Sequence, residues 1–189
     1  MASVLVPLAQ GCEELEAVTI IDLLRRADIE VVTAGLDDQP VRAAHGTVLI
    51  PDTTLDAVAD REFDMIVLPG GLPGADHLDR DPRIHALLTR MAAADRYVAA
   101  ICAAPKILAN AGLLANRRAT SFPGVLDARA VAGLEYREEP VVQDGRIITS
   151  RGPGTAMDFV LTLIEALVGK ETRARVEAAL QRPDHHRTV

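Results

Sequence analysis

The sequence predicts an α/β fold, with a mostly parallel sheet covered by helices on both faces. Two observations carry this. The short apolar runs Val4-Leu5-Val6-Pro7-Leu8, Met65–Leu68 and Tyr97–Ile101 lack the polar alternation of a half-solvated strand, as strands buried on both faces require. Between them lie stretches whose apolar residues recur at helical spacing, and strand and helix in alternation define the class.

The elements follow in order. The first run, 4–8, reads as a strand that turns at Gly11 into a helix opened by Glu13-Glu14, acids suited to a helix start. That helix carries Leu15, Val18, Ile21, Leu23 and Leu24 and ends at Arg25-Arg26, where cations are favoured. A strand over 30–34 follows, then a hairpin over 41–50 turning at His45-Gly46 and a short helix over 55–59. Met65–Leu68 leaves through Pro69-Gly70-Gly71. Asp81-Pro82 then opens a helix with a capping acid and a proline at the first position, its buried side marked by Ile84, Leu87, Leu88 and Met91.

After Tyr97–Ile101 the pattern predicts a helix over 103–114, a strand over 118–122 and a short helix over 126–131. Asp144-Gly145 between two apolar pairs is a strong hairpin signal. Helices over 155–168 and 171–181 complete the reading. One domain, 1–182, is expected, with a polar tail at 183–189. This order of elements is that of a flavodoxin-like three-layer α/β/α sandwich, in which ligands sit beyond the carboxyl ends of the strands.

Composition narrows the function. With 49% hydrophobic residues, 3% aromatics and no Trp, the core is built from aliphatic side chains. A net charge of −7 disfavours nucleic-acid backbones and anionic membrane surfaces as partners. The first nine residues lack a signal-peptide pattern and no apolar run approaches the ~20 residues of a membrane span, so a cytoplasmic location is expected. Cys12 and Cys102 have neither a disulfide framework nor metal-ligand spacing around them, so both are read as thiols with no metal.

Cys102 follows a buried strand and precedes Ala103-Ala104-Pro105, which has the form of a nucleophile elbow. Small neighbours permit the sharp turn. The helix start favours a thiolate, and free backbone N–H groups there suit an oxyanion. A buried structural thiol is the competing reading. Pro69-Gly70-Gly71 offers a second close backbone approach, without the lysine of a phosphate loop, and is otherwise an ordinary strand exit. Glu16, if aimed at the sheet, is a buried carboxyl that must be protonated or paired. Beside the Cys102 sulfur, the two acids would share a proton.

Arg151 follows a strand and suits an anion, or is a surface arginine on a glycine turn. His45, His77 and His85 lack metal spacing, and His185-His186 lies in the tail. Cys12 reads as a small packed side chain, with redox partnering a lesser alternative.

The segments Gly11-Cys12-Glu13-Glu14-Leu15-Glu16, Val67-Leu68-Pro69-Gly70-Gly71, Ala99-Ala100-Ile101-Cys102-Ala103-Ala104-Pro105 and Thr149-Ser150-Arg151-Gly152-Pro153-Gly154-Thr155 together resemble the ThiJ/PfpI superfamily, in the branch of the parkinsonism-associated deglycase and bacterial YajL. The resemblance covers nearly the whole chain. It implies that Cys102 is the reactive, easily oxidised cysteine and Glu16 the protonated carboxyl beside it. It places the oxyanion site at the amides of Gly70, Gly71 and Ala103, and substrate or anion contacts at Arg151, His45 and Phe122. It also implies a homodimer with the first helix near the two-fold axis, no cofactor, and either removal of glyoxal, methylglyoxal and their protein adducts or a redox-regulated chaperone role.

Two departures matter. Ala103 stands where peptidase-like branches carry His, which removes the base for peptide hydrolysis. Phe122 stands where the parkinsonism-associated branch carries His, leaving proton transfer to Glu16 or water. A nucleotide-binding module without chemistry is the remaining alternative.

Overall fold

The computed structural model describes residues 1–127 and 129–182. Its elements are β1 (Ser3–Leu8), α1 (Glu14–Arg26), β2 (Glu30–Gly35), β3 (Val41–Arg42), β4 (Val48–Leu49), β5 (Thr53–Thr54), β6 (Met65–Leu68), α2 (Gly74–Arg80), α3 (Pro82–Ala93) and β7 (Tyr97–Ile101). They continue through α4 (Pro105–Asn110), β8 (Arg118–Ala119), β9 (Glu135–Tyr136), β10 (Val141–Asp144), β11 (Ile147–Ser150), α5 (Ala156–Val168) and α6 (Lys170–Ala179).

Seven strands form the central sheet in the order β10-β11-β7-β6-β1-β2-β5. Every pairing in it is parallel except β10 with β11. Each central strand sends alternate side chains to opposite cores, which is why its sequence is apolar throughout. Val4, Val6, Leu8, Met65, Val67, Ala99 and Ile101 pack against α1 and α5. Leu5, Ile66, Leu68, Val98 and Ala100 pack against α2, α3 and α4. The expected mostly parallel sheet between two helical layers is therefore present.

Phe159 of α5 is the largest fully buried side chain. Phe159→Ala is expected to lower stability by about 3–5 kcal/mol, the lost transfer energy plus the cavity it leaves. Urea unfolding of the two proteins checks this.

Several expected elements are changed. The helix expected over 103–114 shrinks to α4, because the chain breaks into turns that pass through Gly112 at φ +75. The strand expected over 118–122 keeps only β8, which pairs with β9 outside the central sheet. Its later backbone donors go elsewhere, Thr120 N–H to Thr149 Oγ1 and Phe122 N–H to the Cys102 carbonyl. The helix expected over 126–131 includes residue 128, outside the described residues. The rest of that stretch is turn and bend, closed by Asp127 accepting from Gly124 N–H at 2.7 Å. The tail at 183–189, with His185-His186, also lies outside them. The helix expected over 55–59 is a single 3₁₀ turn, Asp56–Val58. α2, unforeseen, occupies the loop before Asp81, which caps α3 as expected by accepting from Arg83 N–H.

Among the described residues, no helix is long and apolar enough to cross a membrane.

Candidate active site

The exits of β1, β6 and β7 converge at the carboxyl edge of the sheet. Cys102 is the first residue after β7 and adopts φ +64, a left-handed conformation that costs a non-glycine residue roughly 1–3 kcal/mol. Such strain persists only where surrounding structure over-determines it. Here the Cys102 N–H donates to the Ser150 carbonyl at 3.0 Å, and its own carbonyl accepts the Phe122 N–H at 2.9 Å. Buried Ala103 and Ala104 then let the chain turn into α4. The elbow anticipated from the sequence is formed.

Glu16 reaches the same point from the first turn of α1. It is fully buried, and its Oε2 accepts the Gly70 N–H at 2.8 Å. In return the Gly70 carbonyl accepts the Glu13 N–H at 3.0 Å, so α1 and the β6 exit are tied by two bonds. Glu16 Oε1 has no hydrogen-bond partner of good geometry. The carboxyl nevertheless lies close enough to the Cys102 thiol for each group to shift the other. Burial, reinforced by the charge of Glu13 and opposed by the Gly70 N–H and the thiol, lifts the Glu16 carboxyl from its ordinary 4.5 to about 7.

The thiol departs from expectation. Burial first, then the charge of Glu16, push Cys102 up from 9.0 to about 12, against the N–H groups of Gly71 and Ala103 that favour a thiolate. The helix start that was expected to lower it is weak, because α4 has only six residues and begins at Pro105. The resting pair is thus a thiol beside a carboxyl that titrates near neutrality.

The oxyanion assignment also changes. Gly70 N–H is committed to Glu16, so the donors left near the sulfur are those of Gly71 and Ala103. Gly70 instead provides room. A Cβ there would stand 2.6 Å from Cys102 Cβ, 2.7 Å from Glu16 Oε2 and 2.9 Å from the Ile101 carbonyl oxygen. Gly70→Ala is expected to destabilise by about 1–3 kcal/mol through overpacking and to push the acid and the sulfur apart. Denaturant unfolding reads the first effect and Cys102 alkylation the second.

Glu13, read from the sequence as an acid suited to a helix start, is buried and caps α1, its Oε2 accepting from the Glu16 N–H at 2.7 Å. The signal available was an acid directly ahead of the first helical residue, where a side-chain oxygen satisfies a free N–H of the first turn. His45 stands on the β3–β4 turn with its Nδ1 3.1 Å from Glu14 Oε2 and 3.7 Å from Glu13 Oε1. Facing two carboxylates, it is poorly placed to receive an anionic substrate. Burial opposes ionisation of Glu14, but its own N–H, then the N–H and ring of His45 and the N–H of Thr47, hold its carboxyl down at about 2.

Arg151 is half-buried and follows Ser150, the acceptor of the Cys102 N–H, and it has no salt bridge among the described residues. Phe122 is half-exposed. Cys12 is fully buried in the core, and burial, then the charge of Glu14, push its thiol up to about 11, as suits a packed side chain.

A strained cysteine at the carboxyl edge of a doubly covered parallel sheet, with a buried acid beside it, defines a cysteine-centred α/β protein of the flavodoxin-like kind. The chain belongs to the DJ-1/PfpI family, whose model matches residues 2–166.

Among its relatives, the Parkinson disease protein 7 homolog of Danio rerio is 41% identical over 180 residues, covering 93% of this chain and 95% of that protein. The glutathione-independent glyoxalase DJR-1.2 of Caenorhabditis elegans is 38% identical over 170 residues, covering 90% of each. Protein DJ-1 homolog A of Arabidopsis thaliana is 42% identical over 180 residues, which are 94% of this chain and 46% of that protein. The chain thus spans less than half of that relative's length. The crystal structure of Drosophila melanogaster DJ-1beta superposes with a TM-score of 0.92 at 39% identity, covering 97% of this chain and 99% of the other.

Proposed function

We propose that the protein is a cysteine-dependent, cofactor-independent glyoxalase and deglycase acting on methylglyoxal, glyoxal or their early protein adducts. The observation that carries this is the buried Glu16 carboxyl, raised to about 7 beside the Cys102 thiol, with its Oε1 unpartnered. An acid that titrates near the working pH serves as both proton acceptor and donor. The relative named as a glutathione-independent glyoxalase supports the same reading.

The chemistry runs through successive proton transfers at Glu16, with the hydroxyl proton passing between the two neighbouring oxygens as the carbon-bound hydrogen moves. Glu16 carboxylate takes the thiol proton as the sulfur adds to the aldehyde carbon of methylglyoxal, and the Gly71 and Ala103 N–H groups hold the oxyanion. Glu16 returns that proton to the oxygen, giving a hemithioacetal. It then removes the hydrogen from the sulfur-bearing carbon, and protonation of the neighbouring carbon leaves a thioester of a hydroxy acid. Water hydrolyses the thioester and frees Cys102, so the sum is methylglyoxal plus water giving lactate. In this reading Arg151 would meet the carboxylate product. In deglycation the Cys102 sulfur displaces the side-chain thiol or amine from the carbinol carbon of a hemithioacetal or hemiaminal adduct, the leaving group takes the proton held by Glu16, and the same Cys102 hemithioacetal results. With Ala103 after the nucleophile, peptide hydrolysis is not part of this reading.

The test is methylglyoxal loss and lactate formation without glutathione. Undiminished loss in Cys102→Ser or Glu16→Gln removes the mechanism. A second reading, a redox-regulated chaperone or oxidative-stress sensor, is favoured by the same unpartnered Oε1, which in protonated form would donate to a sulfinate on Cys102. Intact mass after graded peroxide, set against client-aggregation assays, separates the two.

Exposed Leu15 and Val18 on α1 support pairing of two copies through that helix, which sedimentation would check.

A further inference from the structure

Two large apolar side chains stand in solvent on two loops whose backbone meets Cys102, itself only partly buried. Leu72 is 59% exposed and Phe122 50% exposed. Leu72 directly follows Gly71, whose N–H faces the Cys102 sulfur. Phe122 is anchored from another side, its N–H on the Cys102 carbonyl. The ring lies over Gly152, with Cδ2 3.5 Å from where a Cβ on that glycine would stand.

Single exposed apolar residues are ordinary on any surface. These two differ in position, because each sits on a segment whose backbone is already engaged with Cys102. The backbone does the polar work of holding the elbow and facing the sulfur. The side chains of the same segments are left to meet whatever substituent a bound carbonyl carries.

We infer that Leu72 and Phe122 form an apolar entrance that selects carbonyl substrates bearing an aryl or branched-alkyl substituent over glyoxal. This rests on the carbonyl-addition reading above and narrows its substrate class. The N–H donors of Gly71 and Ala103 meet the carbonyl oxygen of either substrate alike. The difference lies in the substituent, which is hydrogen in glyoxal and gains by leaving water when it is a phenyl ring.

Two measurements test it. In the first, Cys102 is alkylated by 2-iodo-N-phenylacetamide and by iodoacetamide, which share the reacting carbon, with N-acetylcysteine as the reference thiol. The protein's preference for the phenyl reagent is expected to exceed that of N-acetylcysteine by roughly tenfold, the scale on which apolar pockets discriminate. Leu72→Asn and Phe122→Asn, each altering an exposed side chain and no backbone donor, are each expected to reduce the preference severalfold. In the second, initial kcat/KM values for phenylglyoxal and glyoxal should show the same order and the same fall in both variants.

A preference equal to that of N-acetylcysteine, or unchanged in both variants, overturns the proposal. Failure of the glyoxalase reading looks different. No oxoaldehyde would then be consumed, while the alkylation preference and its loss in the variants would remain and still support the entrance.

Discussion

Cys102→Ser is expected to lower kcat/KM for methylglyoxal by about 10³-fold or more while the protein stays folded. Serine fills nearly the same space, and the backbone bonds to Ser150 and Phe122 that hold φ at +64 do not involve the side chain. What is lost is the nucleophile. A hydroxyl is a much weaker acid than a thiol, and in this buried position Glu16 cannot draw its proton away at neutral pH. The far-ultraviolet spectrum and unfolding midpoint establish that the variant is native. Lactate formation within tenfold of the parent would exclude Cys102 as the attacking group.

Glu16→Gln is expected to reduce turnover by about 10²–10⁴-fold, the usual contribution of a positioned acid–base group, and to change the pH dependence of Cys102 alkylation. In the parent, alkylation should rise as Glu16 loses its proton through about 7, because the carboxylate can then accept the thiol proton. With glutamine that inflection disappears and reactivity rises only toward the thiol's own pKa. An unchanged inflection near 7 would show that another group controls the sulfur.

Stability gives an independent reading of the same carboxyl. Its folded pKa lies above its ordinary value, so the contribution is complete below about 4.5 and is lost as pH rises through about 7. A shift of this size corresponds to roughly 3 kcal/mol across that window. Glu16→Gln should flatten that part of the stability–pH curve, measured by denaturant unfolding.

Some of this was legible in the chain itself. β1, β6 and β7 were found as apolar runs because each faces two cores, a condition imposed residue by residue. The elbow was legible too, since a cysteine between a buried strand and Ala103-Ala104-Pro105 leaves little else for the backbone to do. α4 was overextended past the local turn at Gly112, and β8 was overextended because its end is set by distant partners. Phe122 N–H leaves any strand ladder to bond the Cys102 carbonyl, and no local pattern announces that.

The site divides along the same line. Periodicity, small residues and turn residues act over a few positions, so the sequence alone determined the α/β layering, the turn at Cys102 and the glycine exit at 70–71. Which donor meets which acceptor depends on how far water is excluded and on groups that meet only after folding. The bond from Gly70 N–H to Glu16 joins residues 54 apart, and it occupies an N–H that was expected from the sequence to face an oxyanion. Desolvation at that junction raises both acids, so tertiary packing, and not the local sequence, decided that the sulfur rests as a thiol beside a carboxyl that titrates near neutrality.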